Sequence, residues 1–238
     1  MLKNNTSIVD DRGYNQGFRE TEALLKRMER RADWIIEAMD QQPGKKVLEI
    51  GCGTGFLSYV IATKTKMQVL GSDLCVPFID EASAKYVHPT LKYMVLDFNL
   101  AAEKINHKFD YIIGNGILHH LYYNLDNVFV TFKNILEPNG KIIFMEPNIY
   151  NPYVAAIFKN KKLRKVAKLE PDEMAFSMTF IRKKLEAAGF KNIDITYKDF
   201  LLPGIPEWAV KPSILIGNIV EKTPLKFLSQ SILIKATM

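Results

Sequence analysis

Residues 47–55 read VLEIGCGTG: an apolar run closes on an acid, and glycines then stand at positions 51, 53 and 55. A short continuous apolar run bounded by a turn signal is the pattern of a buried strand. Alternate glycines mark a chain that reverses tightly and keeps its backbone bare of side chains, as it must where something lies close to the main chain. The following FLSYVIATK, residues 56–64, reads as a helix. A strand, a bare turn and a helix in that order set the fold class, and the surrounding residues extend the pattern.

Upstream, residues 16–40 carry Phe18, Leu25, Met28, Ala32, Ile35, Ile36 and Met39 at a spacing of three to four, an amphipathic helix stopped by Pro43-Gly44. Downstream, strands are expected at 68–73, 91–97, 109–114 and 141–146, with helices at 76–87 and 125–136 and a turn at 137–140. Strands this continuously apolar, alternating with helices, imply a parallel sheet covered on both faces. Ligands of such sheets bind beyond the carboxyl ends of the strands. Glu49, Asp73, Asp97 and Asn115 all fall at such ends.

After Glu146 the rhythm breaks. A helix at 179–188, closed by Gly189, and strands at 193–198 and 231–236 complete the pattern. The expected architecture is α/β and Rossmann-like: a seven-stranded, mostly parallel sheet with helices on both faces, in one domain over 1–238. Its parts are an N-terminal helical segment (1–44), a ligand-binding core (45–147), a basic insertion after strand five (148–178) and an apolar insertion after strand six (200–229).

Composition narrows the class. With 238 residues, 47% hydrophobic and 24% charged, the chain has the make-up of a globular α/β protein. The start, MLKNNTSIVDDRG, lacks the apolar segment of a secretory signal. No stretch reaches the roughly 18 apolar residues of a membrane-spanning helix. Two widely separated cysteines, Cys52 and Cys75, suggest neither a disulfide nor a thiolate metal site, which fits the cytoplasm. The net charge of +6 is concentrated in Lys159, Lys161, Lys162, Arg164, Lys165 and Lys168, with no acid between Glu146 and Glu170. A concentrated basic excess proposes an anionic partner.

The glycine spacing separates the ligands. A phosphate-binding P-loop needs GxxxxGK[ST], and GCGTGFLS has no lysine; a dinucleotide fingerprint needs its third glycine where Phe56 stands. GxGxG after a strand ending in Glu, with an acid closing the next strand, instead resembles the class I methyltransferases that use S-adenosylmethionine. The resemblance covers residues 47–146. It implies that Gly51, Gly53 and Gly55 admit the methionine part of the cofactor beside the small Cys52, and that Glu49 orients its ammonium group. Asp73 in VLGSDL then accepts both ribose hydroxyls, with Leu74 on the adenine, and Asp97 and Phe98 in MVLDFN bind the adenine amino group and ring face. FDYIIGNGILHHL resembles the motif that ends strand four near the sulfonium and places Asn115 there.

His119 occupies the place where plant-type O-methyltransferases carry a catalytic histidine, so the resemblance implies a base, and O-methylation is the favoured reaction. His120 is the alternative base or a structural residue. Adjacent side chains are expected to diverge, so no metal site is expected. The (D/N/S)PP(Y/F) clamp of base-methylating enzymes is missing after strand four, where GNGI stands, and Asn151-Pro-Tyr153 follows strand five and lacks the second proline. Nucleic acid is therefore not the expected acceptor.

In the resembled fold both insertions emerge at the carboxyl end of the sheet and cover the site. The apolar stretch at 200–229 suits a greasy substrate pocket, a membrane contact or a homodimer interface, and the basic residues 153–168 suit an anionic membrane surface. The expected acceptor is a small, apolar or lipid-linked metabolite, met by a cytoplasmic protein peripheral at the membrane. A nucleic-acid or protein methyltransferase, and a non-catalytic cofactor-binding regulator, remain open. Tyr14 and Arg19 are expected as contacts from the N-terminal helix.

Overall fold

The computed structural model describes residues 21–98, 105, 107–170, 172–202 and 205–238; Tyr14 and Arg19 lie outside them. The elements run α1 (Glu22–Glu37), β1 (Lys46–Ile50), α2 (Phe56–Lys64), β2 (Gln68–Asp73), α3 (Val76–Lys85), β3 (Leu91–Val95) and β4 (Phe109–Asn115). A 3-10 turn (Leu118–Asn124) leads into α4 (Leu125–Ile135) and β5 (Leu136–Pro147). Then come α5 (Pro152–Lys159), α6 (Lys161–Val166), α7 (Met178–Ala187), β6 (Lys191–Lys198), α8 (Glu207–Val220), a second 3-10 turn (Pro224–Leu228) and β7 (Ser231–Thr237).

The strands form one sheet in the order β3-β2-β1-β4-β5-β7-β6. β1 is the pivot, paired in parallel with β2 on one side and β4 on the other. Chain order reverses there, so the crevice of the sheet opens where β1 and β4 end. β7 runs antiparallel to both β5 and β6. This is the α/β arrangement expected from the sequence.

Because side chains alternate across a strand, apolar residues at successive positions feed two separate cores. Leu48, Ile50, Ile112, Ile142 and Phe144 point to the face covered by α4 and α7. Val47, Val69, Tyr111, Ile113, Ile143 and Met145 point to the face covered by α1 and α2. The first face is aromatic: Phe144 is fully buried and stacks on Phe132, ring centroids 5.6 Å apart.

Three local expectations are corrected. β3 stops at Val95, so Asp97 lies beyond the strand rather than at its last position. Residues 137–140 form no separate turn: β5 already begins at Leu136. There the register against β4 jumps from Phe109↔Leu136 to Tyr111↔Lys141, a bulge in which Asn139 takes φ +64. The basic insertion is two helices instead of one, because the Asn160 side chain accepts the amides of Lys162 and Leu163 and restarts the helix.

Removing the stacked ring from the centre of the first core should be costly. Phe144→Ala is expected to lower unfolding free energy by about 3–5 kcal/mol, read as a lower urea midpoint at unchanged slope.

Candidate active site

The turn after β1 is left-handed at all three glycines, with φ of +65 at Gly51, +53 at Gly53 and +86 at Gly55. Their surroundings differ. A Cβ on Gly51 would stand 2.6 Å from the Ile117 side chain, and one on Gly55 would meet the Tyr93 hydroxyl at 2.6 Å and Ala82 at 2.8 Å. A Cβ on Gly53 would meet nothing within 4 Å. So the outer two glycines let neighbouring elements pack against the turn, and the middle one faces open space. Cys52 is buried beside it, and burial pushes its thiol up, away from thiolate chemistry.

Two acids flank the turn. Asp73, at the end of β2, accepts the Gly53 amide at 2.8 Å through Oδ2 and the Cys75 amide at 2.9 Å through Oδ1. Burial leaves its carboxyl raised, against the opposing pull of those amides and the nearby His120. The Leu74 amide pulls the same way, and the Leu74 side chain is half-buried. Glu49 is 2% exposed, and its Oε2 accepts the Ser58 hydroxyl of α2. Burial drives its carboxyl up to about 8 against that hydrogen bond, and the Asp73 charge adds to the rise. Asp97 is half-buried beyond β3, whereas Phe98 is turned into the core, its ring 5.3 Å from Phe132.

The histidines are organised by a residue to which the sequence assigns no role. Glu146, fully buried at the end of β5, accepts the amides of Ile117 at 3.0 Å, Leu118 at 2.8 Å and His119 at 3.3 Å. Its Oε2 also meets His119 Nδ1 at 2.9 Å. The loop after β4 is thereby wound into a 3-10 turn around one carboxylate, which supplies the cap that the turn's own residues do not. The expectation that His119 and His120 diverge is wrong: in this tight turn their ring centroids lie 4.2 Å apart. His120 Nδ1 is 3.2 Å from Oε1 of Glu173, itself 1% exposed. His119, His120 and Glu173 bring three donor atoms within 4.8 Å of one another, a set able to hold a metal ion.

Glu173 comes from the basic insertion, and Arg164 fixes it there. The guanidinium donates to the carbonyls of Phe158 at 3.1 Å, Glu173 at 3.0 Å and Glu170 at 2.6 Å. One member of the basic run is thus an internal strut, while the five lysines around it are exposed.

On the other side of β4, the Asn115 side chain accepts Arg31 Nη1 at 2.6 Å. Arg31 and Arg27 of α1 both clasp Asp199 Oδ2, at 2.7 and 2.6 Å, just after β6. Burial works to raise Asp199, but the two guanidiniums hold it below the usual carboxylate range. Burial also lowers Arg27 to about 10, with Arg31 pushing the same way. Nothing in the sequence flagged this cluster, because its members are up to 172 residues apart. Glu146, by contrast, was findable: it is the acid closing IIFME, under the same rule that draws attention to Glu49 and Asp73.

The structure therefore gathers Gly51, Gly53, Gly55, Asp73, Asn115 and His119 at the carboxyl end of β1, β2 and β4, around an open glycine. A glycine-rich turn after the first strand of a Rossmann-like sheet is the arrangement that the resemblance to S-adenosylmethionine-dependent methyltransferases leads one to expect. Residues 19–195 match the methyltransferase-domain family, and the chain belongs to it. A SAM-dependent methyltransferase from Archaeoglobus fulgidus superposes with a TM-score of 0.65, at 16% identity over 94% of this chain and 98% of that one. Phosphoethanolamine N-methyltransferase 1 of Arabidopsis thaliana is 29% identical over 140 residues, 57% of this chain and 27% of that protein. Cyclopropane-fatty-acyl-phospholipid synthase of Escherichia coli K12 is 24% identical over 124 residues, 52% and 31% respectively. The chain spans less than a third of the length of either curated relative.

The raised Glu49 carboxyl has a measurable sign. The folded chain keeps a proton that the unfolded chain releases, so this group lowers stability progressively as pH rises from about 4.5 to about 8. In cofactor-free protein, Glu49→Gln should flatten the fall of Tm across that window while leaving Tm at pH 4.5 nearly unchanged. An equal slope in both proteins would place the titrating group elsewhere.

Proposed function

We propose that the chain methylates a small acceptor at oxygen, with His119 removing the acceptor's proton. One observation carries this reading: the buried 2.9 Å contact between His119 Nδ1 and Glu146 Oε2. A carboxylate on Nδ1 takes that nitrogen's proton as its hydrogen bond, which fixes the tautomer and leaves Nε2 with its lone pair. The same carboxylate holds three backbone amides of the turn, so the ring and the turn that carries it are referenced to one anchored group. A hydroxyl is a poor nucleophile until it is deprotonated, and a positioned base contributes about 10²–10⁴ in rate.

Asp73 and the open backbone at Gly53 are the residues that would hold the cofactor, with Glu49 beneath them. When bound, S-adenosylmethionine supplies a methyl group on a positively charged sulfur, open to in-line displacement. What this chain adds is alignment, worth roughly 7–11 kcal/mol where reacting groups are well placed. An apolar or lipid-linked acceptor is supported by the apolar insertion after β6, and by the fatty-acyl phospholipid for which the E. coli relative is named.

The Arabidopsis relative favours a second reading, N-methylation of a small amine. An ammonium group must also lose a proton before it attacks, so the same dyad would serve.

Incubating the protein and a source-cell extract with methyl-labelled S-adenosylmethionine, then separating lipid, small-molecule, protein and nucleic-acid fractions, tests the reading. Label in the organic-soluble fraction, on oxygen by NMR of the product, is the expected result. Label on nitrogen selects the second reading, and label in nucleic acid or protein overturns both. His119→Ala should lower kcat at least about a hundredfold with cofactor affinity nearly intact; a tenfold loss or less removes it from the role. Asp73→Ala should weaken cofactor binding by about 1.5–3 kcal/mol, measured by calorimetry.

A further inference from the structure

The helix α8 turns a row of large apolar side chains to solvent. Trp208, Leu215, Ile216 and Ile219 are 80, 65, 61 and 66% exposed. At 100° per residue these positions share one face of the helix. The opposite face is seated: Val210 and Gly217 are buried, and a Cβ on Gly217 would stand 2.8 Å from Phe200. Packing therefore fixes the apolar row outward. Its character is regional, since among the described residues all the strongly exposed large apolar side chains except Val87, Tyr123 and Val130 lie between 150 and 227.

The second component is charge. Lys159, Lys161, Lys162, Lys165 and Lys168 are exposed along α5 and α6, and Lys211, Lys222 and Lys226 are exposed on or beside α8. Of the acids at α8, Glu207 opens the helix and is exposed, whereas Glu221, just past its last residue, is engaged inward with Lys198 at 3.2 Å and the Asp199 amide at 3.0 Å.

The two insertions are also joined. Asn148 donates to the carbonyls of Phe227 at 2.9 Å and Ser229 at 2.8 Å, and Asn151 donates to Leu228. Their roots are adjacent as well, because Pro147 at the end of β5 pairs with Ser231 at the start of β7. The apolar face and the lysines therefore rise from the carboxyl end of the sheet, where the candidate site lies.

We propose that this surface docks on an anionic lipid bilayer, with the α8 row sunk at the headgroup boundary and the lysines against lipid phosphates. An exposed row of Trp, Leu and Ile flanked by lysine fits that boundary, apolar on one side and negative on the other. A second copy of the chain is a poorer occupant, since interface cores are depleted in lysine and the copy would bring its own cationic run. A nucleic acid would use the lysines and leave the apolar row in water. The docking goes beyond the methyl-transfer reading, because it requires neither turnover nor a particular acceptor.

The test is flotation with vesicles of phosphatidylcholine alone, or with one part in three replaced by phosphatidylglycerol, alongside tryptophan emission. The protein should float with the anionic vesicles with a blue-shifted emission, and much less with the neutral ones. Leu215→Glu/Ile219→Glu should cut partitioning at least about tenfold. Lys161→Ala/Lys162→Ala/Lys165→Ala should cut the preference for anionic vesicles about tenfold or more. All these positions are exposed, so both variants should keep the parent's Tm and its S-adenosylmethionine affinity, which separates lost docking from lost folding or a failed methyl-transfer reading. Three results would overturn the proposal: no flotation with anionic vesicles, flotation unchanged by the α8 variant, or a dimer in sedimentation that this variant converts to monomer. Retention of tRNA without vesicle binding would count against it equally.

Discussion

Three backbone amides and one imidazole converge on the two oxygens of Glu146. A carboxylate buried at the end of a central strand is costly unless its acceptor positions are filled, and here the loop after β4 fills them by winding into a 3-10 turn. The turn's geometry follows from that requirement. It aims His119 by its Nδ1, drives the Ile117 side chain against Gly51, and brings the His120 ring beside its neighbour. Ile117 in turn explains why position 51 tolerates no side chain, so the glycine turn and the histidine turn are built against each other.

The acids at the strand ends divide by burial. Glu49 and Glu146 face inward and hold protein groups, the Ser58 hydroxyl in one case and the histidine turn in the other. Asp73, at the glycine turn, is only partly buried and accepts the amides of Gly53 and Cys75. The position rule for parallel sheets finds all three, but position alone does not say which of them meets a ligand. Exposure and hydrogen-bond partners differ among the three. The same holds for the glycines, of which only Gly53 combines a left-handed backbone with empty space above it within the turn.

Most of the sheet was legible because its signals are local. Strand and helix periods, the proline-glycine stop at 43–44 and the GxGxG turn each occupy a few neighbouring residues, and the sheet order follows the class they define. What escaped was non-local. The clasp of Arg27 and Arg31 on Asp199 joins α1 to the end of β6, and no pattern within a window of sequence announces it. The resemblance assigns Phe98 to the adenine ring face; its edge-on packing against Phe132 is a contact that no local pattern announces. EPNG has the chemistry of a turn at 137–140, but the ladder to β4 continues past it as a bulge. The histidine pair escaped because side chains of successive residues diverge in helices and strands, whereas a 3-10 turn held by one carboxylate brings them together.

The basic insertion shows how one short segment serves two purposes. α6 has six residues, too few to be stable as an isolated helix, and it is held by an Asn160 cap at one end and by Arg164 across its inner side. Arg164 satisfies the carbonyls of Phe158, Glu170 and Glu173, and that knot sets Glu173 against His120. The lysines on either side of Arg164 are left outside, with no acid between Glu146 and Glu170 to neutralise them. Charge of one sign on the outer side would be a liability for so small a helix if nothing tethered it. The inward arginine removes that liability, and in doing so it ties the cationic surface of the insertion directly to the shell of groups around His119.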